Sequence, residues 1–336
     1  MARRPPDDRD TVVEARRTRL GVGGESTRPT ADLVGQVIGG YLIDQELGAG
    51  GMGTVYRGSH IDTHRVVAIK ALHPHLMDEP ALVERFRREA RLAARLSHAH
   101  IAGVVELVQH DDGRLLIVFE YVDGEPLSSI MTMPLPPERA LTLIRQLLIG
   151  LEHAHAAGLV HRDLKPENVL VEWRDGGDHA RIVDFGIAIL GDPEAGGERL
   201  TASGQLVGTP LYMAPEQALG EGIDHRADLF SLGVMAYEMF AGVMPFEGKP
   251  LDILTANLKK DPPPFARRVP GLIVDPLHEA LCTKLMARDL RKRFTSARHA
   301  LDVLELIVRD PDTAALMLGR MDVARALAVV SLPGGR

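Results

Sequence analysis

Between Gly40 and Val122 the chain consists mostly of short apolar runs separated by glycines and turn residues, whereas beyond Pro137 apolar residues recur mainly at helical spacing. That change of period constrains the fold most, because a strand buries every second residue and a helix buries positions three and four apart. Residues 41–47 and 54–58 read as strands flanking a glycine cluster, 66–72 is an apolar run broken by Lys70, and 115–122 is a further strand. Over 81–96, Leu82, Phe86, Ala90, Ala93 and Leu96 share one helical face, so one amphipathic helix interrupts the sheet. Helices follow at 138–157, 227–241, 274–286 and 296–308, with Pro262, Pro263 and Pro264 marking a loop. Strands first and helices afterwards predict an α+β fold in two lobes, a small β-rich one with a single helix and a larger helical one.

The 336 residues, 45% hydrophobic and 25% charged, suffice for a sizeable core. Residues 1–38 lack a periodic apolar pattern and are expected to be a flexible extension, and 309–336 a tail with one more amphipathic helix over 313–330. A net charge of -7 gives no basic surface for nucleic acid. Cys282 is the only cysteine, which rules out an intrachain disulfide or a multi-cysteine zinc site and suits a reducing cytoplasm. No stretch has the ~18 apolar residues of a membrane span, so no integral membrane anchor is expected and the localisation read here is cytoplasmic.

Gly48-Ala49-Gly50-Gly51-Met52-Gly53 has glycines at its first, third and sixth positions, which lets backbone amides approach phosphate oxygens, although the same pattern also suits a hairpin turn. A strand, Thr54-Val55-Tyr56, follows it where a dinucleotide fold would want a helix. Val67-Ala68-Ile69-Lys70 puts a lysine in an apolar strand, which calls for an anionic partner. His161-Arg162-Asp163-Leu164-Lys165-Pro166-Glu167-Asn168 follows, and then Asp184-Phe185-Gly186, after a short strand, sets a carboxylate beside a flexible glycine, which suits a hard cation. Gly208-Thr209-Pro210 and Ala214-Pro215-Glu216 come next, then Asp228 and Arg293. The histidines at 98, 100, 153, 155 and 161 have no cysteine or further histidine at a metal-ligand spacing, so packing and hydrogen bonding are their expected roles. Trp173 with Gly176-Gly177 reads as the decoration of a hairpin.

In this order the motifs resemble those of the bacterial eukaryotic-like serine/threonine protein kinases over about residues 41–308, with a small lobe 41–122 and a large lobe 123–308. The resemblance implies ATP and Mg2+ in the interlobe cleft. Nucleotide contacts would come from Leu47, Gly48, Ala49, Gly50, Gly51, Met52, Gly53, Val55, Ala68, Lys70, Leu170 and a hinge at Glu120-Tyr121-Val122, with Phe119 behind the adenine. Lys70 would hold the α- and β-phosphates and pair with Glu89, with Glu84 as the fallback; a solvated helix face is the plainer reading of that charge run. Asp163 would align the acceptor hydroxyl, Lys165 would neutralise the transferred phosphoryl group as in serine/threonine-specific members, and Asn168 and Asp184 would bind the metal. Glu216 with Arg293, and Asp228, would be scaffold, and Phe185 would pack inward.

The same resemblance makes Thr201 and Ser203 autophosphorylation candidates whose phosphate would meet Arg162. Ile189 stands where relatives commonly carry Arg or Lys, so weaker stimulation is expected. Partners are expected to be protein substrates, ATP and an upstream signalling protein. The competing function is a pseudokinase-type nucleotide-binding scaffold, against which stands the presence of Lys70, Glu89, Asp163, Asn168 and Asp184 together.

Overall fold

The structure is a computed structural model, and it describes residues 33–51, 53–185 and 210–323. The small lobe is an antiparallel sheet of β1 (Val37–Ile38), β2 (Tyr41–Ala49), β3 (Gly53–His60), β4 (Val66–Leu72), β5 (Val104–Gln109) and β6 (Leu115–Glu120), ordered β1-β2-β3-β4-β6-β5. Helix α1 (Pro80–Ala93) lies between β4 and β5 in the chain. Alternation along β4 sets the two faces: Val67, Ile69 and Ala71 are buried, whereas Val66, Ala68 and Lys70 are half-buried. Register places Val55 opposite Lys70, and Ala68 opposite Phe119. Phe86 and Ala90 of α1 pack with Leu72, Leu115, Ile117 and Phe119, which fixes the helix to the sheet.

The large lobe opens with β7 (Glu125–Pro126), α2 (Leu127–Ile130) and α3 (Pro137–Ala156), and β7 pairs with the hairpin of β8 (Val169–Arg174) and β9 (Gly177–Ile182). Then come α4 (Pro215–Leu219), α5 (Arg226–Ala241), α6 (Pro250–Lys259), α7 (Phe265–Arg268), α8 (Pro276–Leu285), α9 (Ala297–Arg309) and α10 (Pro311–Met317). Helix α5 is the core of this lobe, buried from Ala227 to Ala241 except at Glu238. Helix starts follow local chemistry: prolines open α3, α4, α6, α8 and α10, and the side chains of Asp275, Ser296 and Asp310 accept backbone N–H bonds at the starts of α8, α9 and α10.

Residues 37 and 38 correct the expected flexible extension. Gly39 and Gly40, both at positive φ (57° and 85°), turn the chain tightly enough for Ile38 to pair with Tyr41 and Val37 with Leu42. Gly35 and Gln36 also exchange backbone bonds with Ile43, at 2.8 and 2.9 Å, and residues 1–32 lie outside the described residues. At the other end, the helix expected over 313–330 is cut short: α10 ends at Met317, before a turn with Gly319 at φ 73°, and it packs on α8 and α9 with Ala314 and Ala315 buried. Residues 324–336 lie outside the described residues. Among the described residues no helix is long and apolar enough to cross a membrane.

Candidate active site

The catalytic-loop motif hangs from one buried carboxylate. Asp228, on the first turn of α5, is 1% exposed and accepts the backbone N–H groups of His161 and Arg162, each at 2.8 Å, and a bond from His155 Nε2, also 2.8 Å. Burial alone would push its carboxyl up, but the His155 bond and neighbouring His161 hold it below the ordinary range, so it stays an acceptor. The His161 ring meets Val183 O at 3.0 Å and stands edge-on to Phe185, which is itself buried as the motif implies. Gln217 Nε2 donates to Arg162 O at 2.8 Å, tying α4 to the loop. Arg162 holds φ at 65°, a left-handed conformation that persists in a non-glycine residue only where surrounding bonds over-determine it.

Past that anchor the loop turns its polar groups together. Lys165 Nζ donates to Asp163 Oδ2 at 2.7 Å, and Asn168 Nδ2 donates to Asp163 O at 2.9 Å and to Asp163 Oδ2 at 3.3 Å. The Asp163 side chain is 52% exposed, open to an incoming hydroxyl. Val183 N–H donates to Asn168 O at 2.9 Å, so the residue before Asp184 is latched to the loop. Asp184 has φ at 60°, a second left-handed residue beside the same cleft.

Lys70 crosses from β4 to the large lobe, its Nζ 3.0 Å from Asp184 Oδ2. Asp184 is a partner that the expected pairing with Glu89 did not include. Glu89 lies on the buried side of α1, 8% exposed, and the fallback, Glu84, is exposed and pairs with Arg87 at 3.0 Å. That Asp184 comes within reach depends on how the segment after β9 is set, which residue spacing does not encode.

Of the nucleotide-contact candidates, Val55, Ala68 and Lys70 occupy the half-buried face of β3 and β4 and Val122 is buried in the hinge. Leu170 is half-buried on β8, and Leu47 is exposed on β2. The glycines divide into two kinds. A Cβ on Gly48 would meet nothing within 4 Å and one on Gly50 only Gly53 O at 3.9 Å, so both present bare backbone to open space, whereas a Cβ on Gly53 would stand 2.2 Å from Ala71 O. Gly50 N is bonded to Gly53 O at 2.9 Å, and His73 Nε2 meets Gly50 O at 2.8 Å. Met52 lies outside the described residues, as do Gly186, Ile189, Thr201, Ser203, Gly208 and Thr209.

Oxygen donors suited to a hard cation are present: the Asp184 carboxylate, and Asn168 Oδ1, which is left over once Nδ2 has bonded to Asp163. No cluster of three or more metal-ligating side chains occurs among the described residues. Magnesium at phosphates uses one or two carboxylates and does not require such a cage.

The scaffold charges meet as expected from sequence. Arg293 Nη1 and Nη2 reach the two oxygens of Glu216 at 2.6 and 3.1 Å, both residues buried, and Nη1 also donates to Arg226 O. Sequence reasoning missed Tyr212, whose hydroxyl donates to Glu238 Oε2 at 2.6 Å while Ser231 Oγ donates to its carbonyl. Burial and the Glu238 carboxylate raise the Tyr212 phenol well above its usual range, and burial, reinforced by Glu167, raises Glu238. The only sequence signal was position: Tyr212 lies two residues before Ala214-Pro215-Glu216.

The profile of the protein kinase domain matches residues 41–304. The serine/threonine-protein kinase pkn3 of Myxococcus xanthus is 39% identical over 276 residues, 81% of this chain and 50% of that protein. PknJ of Mycobacterium tuberculosis, also a serine/threonine-protein kinase, is 39% identical over 78% of this chain and 44% of its own length. The chain therefore spans half or less of these curated relatives. The crystal structure of the Mycobacterium tuberculosis PknI kinase domain superposes with a TM-score of 0.63 at 30% identity, covering 82% of this chain and 99% of that one. Rad53 in complex with AMP-PNP reaches a TM-score of 0.64 at 23% identity, over 78% of this chain and 64% of that one, and this supports the fold alone. The chain belongs to the protein kinase domain family, among the bacterial eukaryotic-like serine/threonine protein kinases.

Proposed function

We propose that the chain transfers the γ-phosphate of ATP to serine or threonine hydroxyls of proteins, with Mg2+ as the metal. The observation that carries this reading is the convergence of Lys165 and Asn168 on Asp163 in a loop anchored by Asp228. Positioning and electrostatic preorganisation dominate phosphoryl transfer, so a loop whose donors are already placed suits it.

In this reading Asp163 accepts a hydrogen bond from the substrate hydroxyl and turns its lone pair toward the phosphorus. Lys165, already beside Asp163, offsets charge on the phosphoryl oxygens. Lys70 holds the α- and β-phosphates, and backbone at Gly48 and Gly50 lies against the phosphates where no Cβ intervenes. Asn168 Oδ1 and Asp184 would hold Mg2+, which supplies charge neutralisation at the phosphates when bound. Ala68, Val122 and Leu170 form the apolar walls for the adenine. Thr201 and Ser203 are the autophosphorylation sites proposed here, with Arg162 as the cationic partner. The partners are protein substrates and an upstream signalling protein, and the setting is cytoplasmic.

Transfer of radiolabelled γ-phosphate, on the protein itself and on a generic basic protein, tests the reading. Wild type is expected to label serine or threonine, including Thr201 or Ser203, and Asp163→Asn to lose roughly a hundred- to thousandfold in rate with its thermal unfolding unchanged. A folded wild type that binds ATP and transfers nothing would replace this reading with a nucleotide-binding scaffold.

A further inference from the structure

Behind the hinge lies an open cavity of about 720 Å³ whose walls carry Arg65, Arg174, Arg181, His98 and Glu120. Its charged groups come from both lobes: Arg65 from the β3–β4 turn, Arg174 from the end of β8 and Arg181 from β9. Three guanidiniums line it against one carboxylate, that of Glu120. Glu120 is already shared, its Oε2 with Arg181 Nη2 and Gly103 N and its Oε1 with Arg65 Nη2 at 3.4 Å. These cations, the Arg181 bond foremost, outweigh burial and hold its carboxyl below the ordinary range, so it is ionised and fully engaged. Outside the lining, Glu172 approaches Arg174 only to 3.6 Å.

Arg181 is the group that this arrangement leaves short of acceptors. It is 9% exposed, both of its described hydrogen bonds leave from Nη2, to Ile101 O and to Glu120, and its buried Nε has no acceptor. A buried guanidinium is costly unless its charge and its donors are met, and an unmet donor in such a place calls for a water, an ion or a ligand. A phosphate group in the cavity suits this charge, since its oxygens take parallel N–H bonds from several guanidiniums. The cavity is also far larger than the ion alone and within the ~300–1,000 Å³ of ligand pockets, leaving room for a side chain that carries it.

We propose that this cavity is a binding site for a phosphomonoester borne on a protein side chain, phosphothreonine or phosphoserine, held by Arg65, Arg174 and Arg181. The site stands apart from the transfer reaction: none of these arginines belongs to the proposed catalytic or nucleotide-binding set. It also bridges the lobes at β9, the strand that leads into Asp184.

The test titrates the full chain with O-phospho-L-threonine, inorganic phosphate and L-threonine, followed by calorimetry and by the arginine Nε–H signals in NMR spectra. Saturable binding of phosphothreonine at about 1 mM or tighter is expected, with the Arg181 Nε–H signal shifting and L-threonine inert. Arg65 and Arg174 are 55% and 54% exposed, so the Arg65→Ala/Arg174→Ala variant keeps the fold and is expected to weaken binding about tenfold or more. Phosphate held at the catalytic cleft would ignore that double substitution. Affinity for inorganic phosphate equal to that for phosphothreonine would overturn the assignment to a side chain in favour of a free-ion site. Absence of saturation up to about 10 mM, or binding unchanged in the double variant, would overturn the site itself.

Discussion

On the large-lobe side of the cleft, Asp228 is 1% exposed and bonded to the backbone on which Asp163 is carried, while Glu216 and Arg293 form a two-pronged pair in the interior. On the small-lobe side, Lys70 reaches the large lobe through one ion pair whose members are 12% and 27% exposed, and Asp184 meets it from a left-handed backbone conformation. One side has several mutually dependent bonds away from water, and the other has a contact that solvent partly screens. A buried, saturated network has a single low-energy arrangement. A half-open pair can be exchanged for another at little cost, whereas Arg293 has nowhere else to go.

The sharpest way to break this contrast is Arg293→Met. It leaves the Glu216 carboxylate, 7% exposed, without its guanidinium, and removing one member of a buried pair typically costs about 3–5 kcal/mol. Calorimetry should record a fall in unfolding temperature on the order of 10 °C. A loss below about 1 kcal/mol would mean that the two sides of the cleft are held alike.

Lys70→Met probes the other side and should separate stability from activity. With the pair partly open to water, unfolding free energy should move by no more than about 1 kcal/mol. Transfer of γ-phosphate should fall roughly a hundred- to thousandfold, because a preorganised cation at the phosphates is lost. Strong destabilisation would show that Lys70 is a scaffold residue as Arg293 is.

Legibility in the sequence follows the same division. The loop around Asp163, the Glu216–Arg293 pair and Asp228 were readable because their motifs resemble the family's, and that resemblance implies their roles. The contact of Lys70 with Asp184 was not, since it depends on where β4 sits relative to the residues after β9. Gln217 was missed, and His155 was expected to hydrogen-bond but not to a named partner, for a related reason: each is an ordinary polar residue in a helix, and only folding brings one to Arg162 O and the other to Asp228. Among the elements, β1 is two residues long and too short for any period to appear, and β5 is an edge strand with residues of both faces half-buried, which removes the alternation that betrays a strand.

The glycine loop carries the comparison down to single atoms, and here sequence pattern alone treats unlike residues as equivalent. A methyl group on Gly53 would sit 2.2 Å from Ala71 O and 3.2 Å from Leu72 Cα, both backbone atoms of a paired strand that cannot rotate away. Gly53→Ala should therefore force β3 from β4 and destabilise the small lobe by about 1–3 kcal/mol. At Gly50 the nearest atom is 3.9 Å away, so Gly50→Ala should leave unfolding within about 0.5 kcal/mol of wild type and act on the KM for ATP, where the added carbon competes with phosphate oxygens for space. Denaturant unfolding and ATP kinetics on the two variants separate the cases. If Gly53→Ala is as stable as wild type, the close approach of the strands is not what requires glycine there, and all the glycines of the loop revert to one role at the phosphates.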